Sequence, residues 1–457
     1  MTFCEELGRW AATLAIDDLP PSVVERAKLQ RQAVEAAARA GADAASPFAV
    51  AAPDGQLGAL YTSAVASMAH DWDDYLYMGH TGHSAVPASA FSADEERALV
   101  AQVAANEVAG RLGAALLIGP HNGQFWSAIH CASAALAGGL ALRLDSGRLA
   151  HALAIALYQP QFGLWPGFMG PATKLLTAAD PALQGARAAL LAAEGVDGPL
   201  DVIEHPQGLL RYFADVGRPR MLGALGSVWL TDTLAFKARP GCAYLQAAVD
   251  AALQVEASPE EIDAVDVEAG LMTLAMDRLS RDAALTPVKV NFSTPLSVAL
   301  ALVEGDLTHR QLEPDAIARA AAFAPRVRVR HDWELTLRTA EGMSAGGASL
   351  RDVPLGSIPR LLRRAAELPR PDARPLLRDA ALRRRLGSLI RGDRAGIDAL
   401  DTSRLRMTFP CRLRVRLRSG RVLELEGSER GGCGAPVREQ ADVVAAKAEL
   451  VAAPASV

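Results

Sequence analysis

The chain has 457 residues, of which 50% are hydrophobic and 22% are charged, and its formal net charge is -5 at pH 7. This composition excludes an intrinsically disordered chain, and the negative balance excludes a polycation built for nucleic acid. The length predicts two or three domains, with enough buried surface to fold without disulfide bonds.

The cysteine pattern is typical of a protein kept in a reducing compartment. Five cysteines are widely scattered, and no two form a Cys-x-x-Cys pair. The first residues include Glu5, Glu6 and Arg9 instead of a basic stretch followed by an apolar core, so no signal peptide is predicted. The most apolar run, 132–142, is too short to span a bilayer. We therefore expect free thiols, a cytoplasmic location and no membrane partner.

Residues 1–236 have the pattern of consecutive helices. Pro21 suits the first turn of one helix, and Glu95 suits the first turn of another. The apolar runs 132–144 and 149–157 predict buried helices. The many alanines in these runs predict close packing between helices.

Near residue 237, apolar residues begin to alternate with polar ones. Ile262, Val265 and Val267 are typical of a strand, and the alternating sets are Val327 and Val329; Trp333, Leu335 and Leu337; and Leu413, Val415 and Leu417. Alternation with a period of two predicts half-buried strands. Ser419 and Gly420 separate two such runs, which predicts a β-hairpin over 412–426.

Helical patterns such as 293–303 lie between the predicted strands, so the second half is an α+β domain. The predicted fold is mainly α: a large all-helical domain over 1–236 and a smaller α+β domain over 237–426. The last helix lies at about 437–450, and we expect the C-terminal segment 427–457 to return to the first domain.

Residues 360–421 carry many arginines, including Arg383, Arg384 and Arg385. A nucleic-acid surface is one interpretation, but Phe409 is the only aromatic residue in this stretch, which leaves no platform on which single-stranded bases would stack. The interspersed prolines, aspartates and leucines favour a solvated helical insertion. We therefore predict no nucleic-acid partner.

The densest group of titratable side chains lies within residues 70–83. Its members are His70, Asp71, Asp73, Asp74, His80 and His83. Charged groups this crowded are costly to bury unless they pair with one another, and such crowding is a common feature of active sites. The alternative is a helix end with solvated carboxylates.

A metal centre is the main rival interpretation of the same cluster. His70, Asp71, His80 and His83 offer nitrogen and oxygen ligands suited to zinc, manganese or iron. However, Gly82 interrupts the spacing between His80 and His83, so these side chains need not converge, and no His-Glu-x-x-His motif is present. We therefore predict no metal.

Two lysines at segment junctions are candidates for anion contacts. Lys174 follows Gly170 and Pro171, and Lys237 precedes Pro240. The sequence has no Gly-x-Ser-x-Gly elbow, no phosphate-binding Gly-x-x-x-x-Gly-Lys loop and no dinucleotide fingerprint.

Several motifs follow one another in a recognisable order. They are Asp71-Trp72-Asp73-Asp74-Tyr75, His80-Thr81-Gly82-His83 with Val86-Pro87, Glu107-Val108 with Arg111, Thr173-Lys174, Phe236-Lys237 with Pro240 and Cys242, and Phe292-Ser293. In this order and spacing the sequence resembles the MmgE/PrpD family, which includes 2-methylcitrate dehydratase, cis-aconitate decarboxylase and an iminodisuccinate epimerase. The resemblance covers nearly the whole chain.

The resemblance implies a large helical domain, a smaller α+β lid, a site in the cleft between them, and a homodimer that needs no metal and no organic cofactor. It implies that His80 is the acid/base residue and that Asp71 and Asp74 position His80 and the substrate. It also implies that Lys174 and Lys237 contact substrate carboxylates.

The sequence departs from the family pattern at several positions. Tyr75 replaces a threonine, and the second family histidine has no direct match, since Gln124 falls closest to it and His121 is near enough to replace it. The lid histidine becomes Gln246. We predict that His80, Asp71, Asp74 and Lys174 are catalytic, and that Tyr75, Gln124, His121 and Lys237 bind the substrate.

Three hypotheses for function remain open. The first is a cofactor-independent lyase that dehydrates or decarboxylates a small carboxylic acid by proton transfer next to a carboxylate. The second is an isomerase or epimerase, for which the partner of His80 would be Lys174, Tyr75 or His121. The third is a catalytically reduced family member that serves as a binding protein.

Overall fold

The computed structural model describes most of the chain. The residues described are 1–117, 119, 127–346, 355–357, 359–360, 363, 371–391 and 397–452.

The first half is helical, as predicted. Its α-helices are Phe3–Thr13, Pro21–Ala40, Ala42–Ala45, Gly55–Met68, Gly82–Ser89, Glu95–Ala115, Ser127–Ala141, Ser146–Tyr158, Trp165–Phe168, Leu176–Ala193 and Leu209–Phe213. Polar side chains begin several of them: Asp94 accepts a hydrogen bond from the backbone N–H of Arg97 at 3.2 Å, and Asp145 accepts one from that of Arg148 at 2.9 Å. These caps satisfy N–H groups that have no partner inside the helix.

Small residues let these helices pack closely, which confirms the prediction from alanine content. Helix Leu176–Ala193 packs along helix Ser127–Ala141. A Cβ atom added at Gly185 would lie 2.1 Å from the Cys131 carbonyl oxygen, so no larger residue fits this contact. All five cysteines are buried free thiols.

The second half combines helices with a small mixed sheet. Its α-helices are Gln246–Ala252, Leu271–Ser280, Pro287–Val290, Thr294–Glu304, Pro314–Phe323, Trp333–Ala345, Arg374–Arg378, Ala380–Arg391 and Val437–Ala452. Its sheet strands are β3 (Ile262–Ala269), β4 (Val327–His331), β5 (Cys411–Leu417) and β6 (Val422–Gly427). The strand order is β4-β3-β5-β6, with β3 parallel to β4 and the other pairs antiparallel.

Most of the strand predictions are confirmed, including the hairpin that β5 and β6 form around Ser419 and Gly420. The strand predicted from Trp333, Leu335 and Leu337 is wrong, because these residues begin helix Trp333–Ala345. Asp332 accepts a hydrogen bond from the Leu335 N–H at 3.0 Å, and this cap starts a helix where the alternation favoured a strand. Three alternating residues are too few to exclude a helix.

Two long-range connections bring distant segments to the Asp71–Tyr75 motif. Strand β1 (Asp74–Tyr75) pairs antiparallel with strand β2 (Ala235–Phe236). The C-terminal helix Val437–Ala452 packs on helix Pro21–Ala40.

The domain boundaries at 236/237 and 426/427 stay predictions.

Within the part of the chain that the structure describes, no helix combines the length and the apolar character needed to cross a bilayer.

Candidate functional site

The Asp71–Tyr75 motif follows helix Gly55–Met68 and ends in strand β1. Asp71 has φ 54°, the left-handed region that aspartate tolerates better than most residues. Pairing of β1 with β2 places Lys237, the residue after β2, beside this motif, and the Trp72 indole N–H donates to the Lys237 carbonyl at 3.0 Å. The local chain path therefore brings a lysine from the second half against the carboxylates of the first.

Two lysines and two aspartates form a buried ion-pair cluster. The Lys237 ammonium donates to Asp71 Oδ2 at 2.9 Å and to Asp73 Oδ1 at 2.5 Å. Lys174 Nζ donates to Asp71 Oδ1. All four side chains are buried. Two positive and two negative charges offset one another, which is the condition for burying them at acceptable cost.

The pKa values of Asp71, Asp73 and Lys237 shift in the directions that favour the charged forms. Burial opposes ionisation of Asp71, but Lys174 and Lys237 outweigh it and hold the Asp71 pKa below its ordinary value. Burial likewise opposes ionisation of Asp73, but Lys237 and His80 hold its pKa well below the usual range. Burial lowers the pKa of Lys237, but Asp71 and Asp73 more than reverse this and raise it. Both aspartates are therefore anions at neutral pH.

His80 is held by Asp73. Its Nδ1 lies 2.7 Å from Asp73 Oδ2 and 3.1 Å from the Asp74 carbonyl oxygen. Both partners are acceptors, so Nδ1 carries the hydrogen and the neutral ring keeps its lone pair on Nε2. Among the residues described, nothing hydrogen-bonds to that Nε2. The arrangement fixes the orientation of the His80 ring and leaves Nε2 available, which makes His80 a candidate base.

Two neighbouring groups complete the surroundings of Asp73 and Asp74. His83 Nε2 lies 3.1 Å from Asp73 Oδ2, and its Nδ1 lies 2.8 Å from the Ser67 hydroxyl. The Asp74 carboxyl accepts from Gln30 at 2.7 Å, and burial together with Asp73 raises its pKa. Asp74 therefore contributes its backbone carbonyl to His80, while its side chain points to the helical domain.

A cavity of about 290 Å³ opens beside this cluster. Asp71, His80, Lys237 and Tyr75 contribute to its wall, together with many apolar side chains. Lys174 is not among the lining residues and is buried behind Asp71. The candidate base therefore faces a space large enough for a small organic molecule.

A tyrosine–glutamate pair lies in the same region. The Tyr75 hydroxyl donates to Glu429 Oε1, and the Tyr75 ring centroid lies 6.0 Å from that of His80. Burial raises the pKa of Glu429 to about 8, and burial together with Glu429 raises that of Tyr75 well above its ordinary value. At neutral pH both groups therefore hold their protons.

The structure brings together His80, Asp71, Tyr75 and Lys237 at one cavity, and it places Lys174 against Asp71. His121 and Gln124 lie outside the described residues. The carboxylate that contacts His80 belongs to Asp73, whereas the family motif pointed to Asp71 and Asp74. The roles of all these residues stay predictions.

Sequence reasoning missed Asp73 as the His80 partner and missed Glu429 altogether. Asp73 could have been predicted from the sequence, because it lies in the crowded acidic run. No feature of the sequence pointed to Glu429. This residue follows strand β6, 354 residues from Tyr75 along the chain, and only the tertiary structure brings the two together.

The four residues proposed above as possible metal ligands already have other partners. His70 Nε2 contacts the Ala40 carbonyl at 3.1 Å, Asp71 binds both lysines, and His80 and His83 both contact Asp73. Within the described ranges, no three histidine, cysteine, aspartate or glutamate side chains are grouped so as to hold a metal ion.

Comparison with known families settles the relationship. The MmgE/PrpD N-terminal domain matches residues 53–221, and the MmgE/PrpD C-terminal domain matches residues 240–384. The chain belongs to the MmgE/PrpD family. The resemblance inferred from the motifs is confirmed. Membership supports an enzyme of the dehydratase and isomerase type without specifying its reaction. Comparison with curated proteins finds no match.

Only some of the residues at the candidate site lie within the two matched regions. His80 and Lys174 lie within the N-terminal match, whereas Lys237 lies between the two matches and Glu429 lies beyond the second. His80, Asp71 and Lys174 thus lie in the matched N-terminal region, whereas Lys237 and Glu429, the partners of Asp71 and Tyr75, lie outside both matches.

Proposed function

We propose that this MmgE/PrpD protein is a cofactor-independent lyase that acts on a carboxylic acid, with dehydration as its favoured reaction. The observation that carries the proposal is His80, whose Nδ1 is held by Asp73 at 2.7 Å while its ring lines the cavity. Such a pair removes a proton from carbon when the resulting charge is stabilised nearby.

The first half of the reaction is proton abstraction. His80 Nε2 removes the hydrogen next to the substrate carboxylate, and Asp73 stabilises the imidazolium that forms. Negative charge moves from carbon onto the carboxylate oxygens. Lys237, a cation in the cavity wall, stabilises that charge electrostatically.

The second half is departure of a hydroxyl group from the neighbouring carbon. Tyr75 donates its proton to that hydroxyl as the C–O bond breaks, so the products are an unsaturated acid and water. Glu429, hydrogen-bonded to Tyr75 and protonated at neutral pH, supplies the replacement proton. His80 then returns its proton to solvent, and Glu429 takes up one proton from solvent, so all three groups regain their starting protonation states. The presence of a donor as well as a base favours dehydration over decarboxylation, which needs no base.

Replacement of His80 tests this proposal. His80→Ala should lower turnover by about 10²- to 10⁴-fold, the usual contribution of a general base. Turnover is measured as the ultraviolet absorbance of the conjugated acid formed from a panel of 3-hydroxy acids. The matched control is His205→Ala, because His205 is an exposed histidine remote in sequence from the motif. Near-normal turnover by His80→Ala, with an unchanged circular dichroism spectrum, would refute the role of His80.

An isomerase is the second candidate, because His80 and Tyr75 both line the cavity and provide two proton-transfer groups. Incubation in heavy water separates the two reactions. An epimerase returns deuterated substrate of otherwise unchanged composition, whereas the lyase releases water and an unsaturated acid.

The third possibility, a catalytically reduced family member, predicts ligand binding without turnover of any acid in the panel.

The homodimer implied by the family stays a prediction, and light scattering on the purified protein would measure it.

A further inference from the structure

The cavity beside His80 has an unusual wall. Its lining includes five of the nine methionines in the chain. These residues are Met78, Met272, Met276, Met343 and Met407. Methionine side chains are apolar and flexible, and they adapt to apolar ligands of irregular shape.

Aromatic side chains supply much of the remaining wall. Phe168 and Phe292 lie with ring centroids 5.3 Å apart, and Tyr244 and Phe409 meet edge to face at 4.5 Å. Trp165 also contributes. A substrate in this space therefore contacts mainly hydrocarbon surface.

The charges in the wall are already balanced. Lys237 is the one lysine or arginine among the described lining residues, and it donates to both Asp71 and Asp73. Asp71 itself lines the cavity and repels anions. A ligand with two or three carboxylates would place several charges in an apolar space whose described lining residues offer no further cation, which is costly. One carboxylate near Lys237 and His80 is tolerable.

The size of the cavity limits the ligand. The volume of about 290 Å³ lies near the lower end of the range of roughly 300–1,000 Å³ for small-molecule pockets. The cavity therefore has room for a hydrocarbon portion of medium length beside a carboxylate and a hydroxyl group.

We propose that the substrate is a hydroxy monocarboxylic acid with a medium-length alkyl or aryl side chain, and not a di- or tricarboxylate. The dehydration chemistry in this inference rests on the proposed function. The choice of a monocarboxylic acid rests on the apolar wall of the cavity and on the pairing of its charged side chains. The hydrocarbon portion packs on the methionines and aromatic rings while the carboxylate meets Lys237.

Binding of saturated acids tests the inference without any turnover. The probes are butanoate, hexanoate, octanoate and 3-phenylpropanoate, with succinate and citrate for comparison, and affinity is measured by calorimetry. The dissociation constant should fall about fourfold for each added methylene up to octanoate, as expected when a CH₂ group is buried. Citrate and succinate should bind more weakly than butanoate.

A pair of variants on one helix locates the binding site. Met276 lines the cavity, whereas Leu279 lies on the same helix and is exposed. Met276→Gln should weaken octanoate binding by about fivefold, the loss expected from removing part of one buried apolar contact, and should leave butanoate unchanged. Leu279→Gln should change neither.

Tight binding of citrate, or equal affinity for butanoate and octanoate, would overturn the substrate class. Because the saturated acids cannot lose water, their affinities are independent of the lyase reaction. Octanoate binding without turnover of 3-hydroxyoctanoate would instead refute the proposed function and leave the cavity assignment standing.

Discussion

Lys447 makes the stability of this protein depend on pH in a direction that the structure defines. This lysine on helix Val437–Ala452 is 1% exposed, and its ammonium donates to the Trp72 carbonyl and lies 5.3 Å from the Trp72 ring centroid. Burial lowers its pKa to about 7, although Asp73 and Asp74 partly oppose this.

The unfolded chain keeps the Lys447 ammonium protonated up to about pH 10.4, whereas the folded protein releases that proton from about pH 7 upwards. Between these values the unfolded state binds more protons, so the free energy of unfolding rises with pH. With ~1.36 kcal/mol per pKa unit, the contribution of Lys447 grows by about 2 kcal/mol from pH 7 to pH 9.

Lys447→Met removes this titration while keeping a side chain of similar length. Urea denaturation of wild type and variant, followed by circular dichroism across this pH range, should show the free energy of unfolding of the wild type rise by about 2 kcal/mol relative to that of the variant between pH 7 and pH 9. Loss of the hydrogen bond to the Trp72 carbonyl shifts the variant by a constant amount and does not alter this trend. Lys28→Met, at an exposed lysine, is the matched control. Parallel pH profiles for wild type and Lys447→Met would refute the reasoning.

Three further predictions concern the helical domain and the site. Glu107→Ala should destabilise the protein by about 3–5 kcal/mol, because it leaves Arg111 buried without the carboxylate that now lies 2.5 Å away. Thermal unfolding measures this loss, and Glu25→Ala, at an exposed helical glutamate, should change little. Gly82→Ala should cost about 1–3 kcal/mol, since its Cβ would lie 1.9 Å from Asp74 Oδ1. At Gly147 the nearest atom is 3.4 Å away, so an equal loss from Gly147→Ala would count against the steric explanation. Finally, a chelator should leave activity unchanged and elemental analysis should find no stoichiometric metal, because Asp71 already binds two lysines. About one metal ion per chain, with activity lost on chelation and restored by that metal, would contradict the acid/base mechanism.

Local sequence determined much of the architecture. Periodicity of apolar residues placed the buried helices, strands β3 to β5 and the hairpin, because hydrophobic burial imposes the period of each element on its own residues. Motif order identified the family. The crowding of charges in 70–83 indicated the candidate site. Local patterns failed at Trp333, where a single capping aspartate selected a helix.

Tertiary structure alone decided which groups meet. Asp71, Asp73 and Asp74 are near neighbours in sequence, yet one binds two lysines, one holds His80 and one binds Gln30. Their directions depend on the pairing of β1 with β2, which no local pattern specifies. Glu429 and Lys447 reach this motif from the far end of the chain, and their pKa values shift because folding removes water from around them. Burial and long-range contact are properties of the packed molecule, so the sequence could indicate the candidate site but not the pKa shifts of its groups.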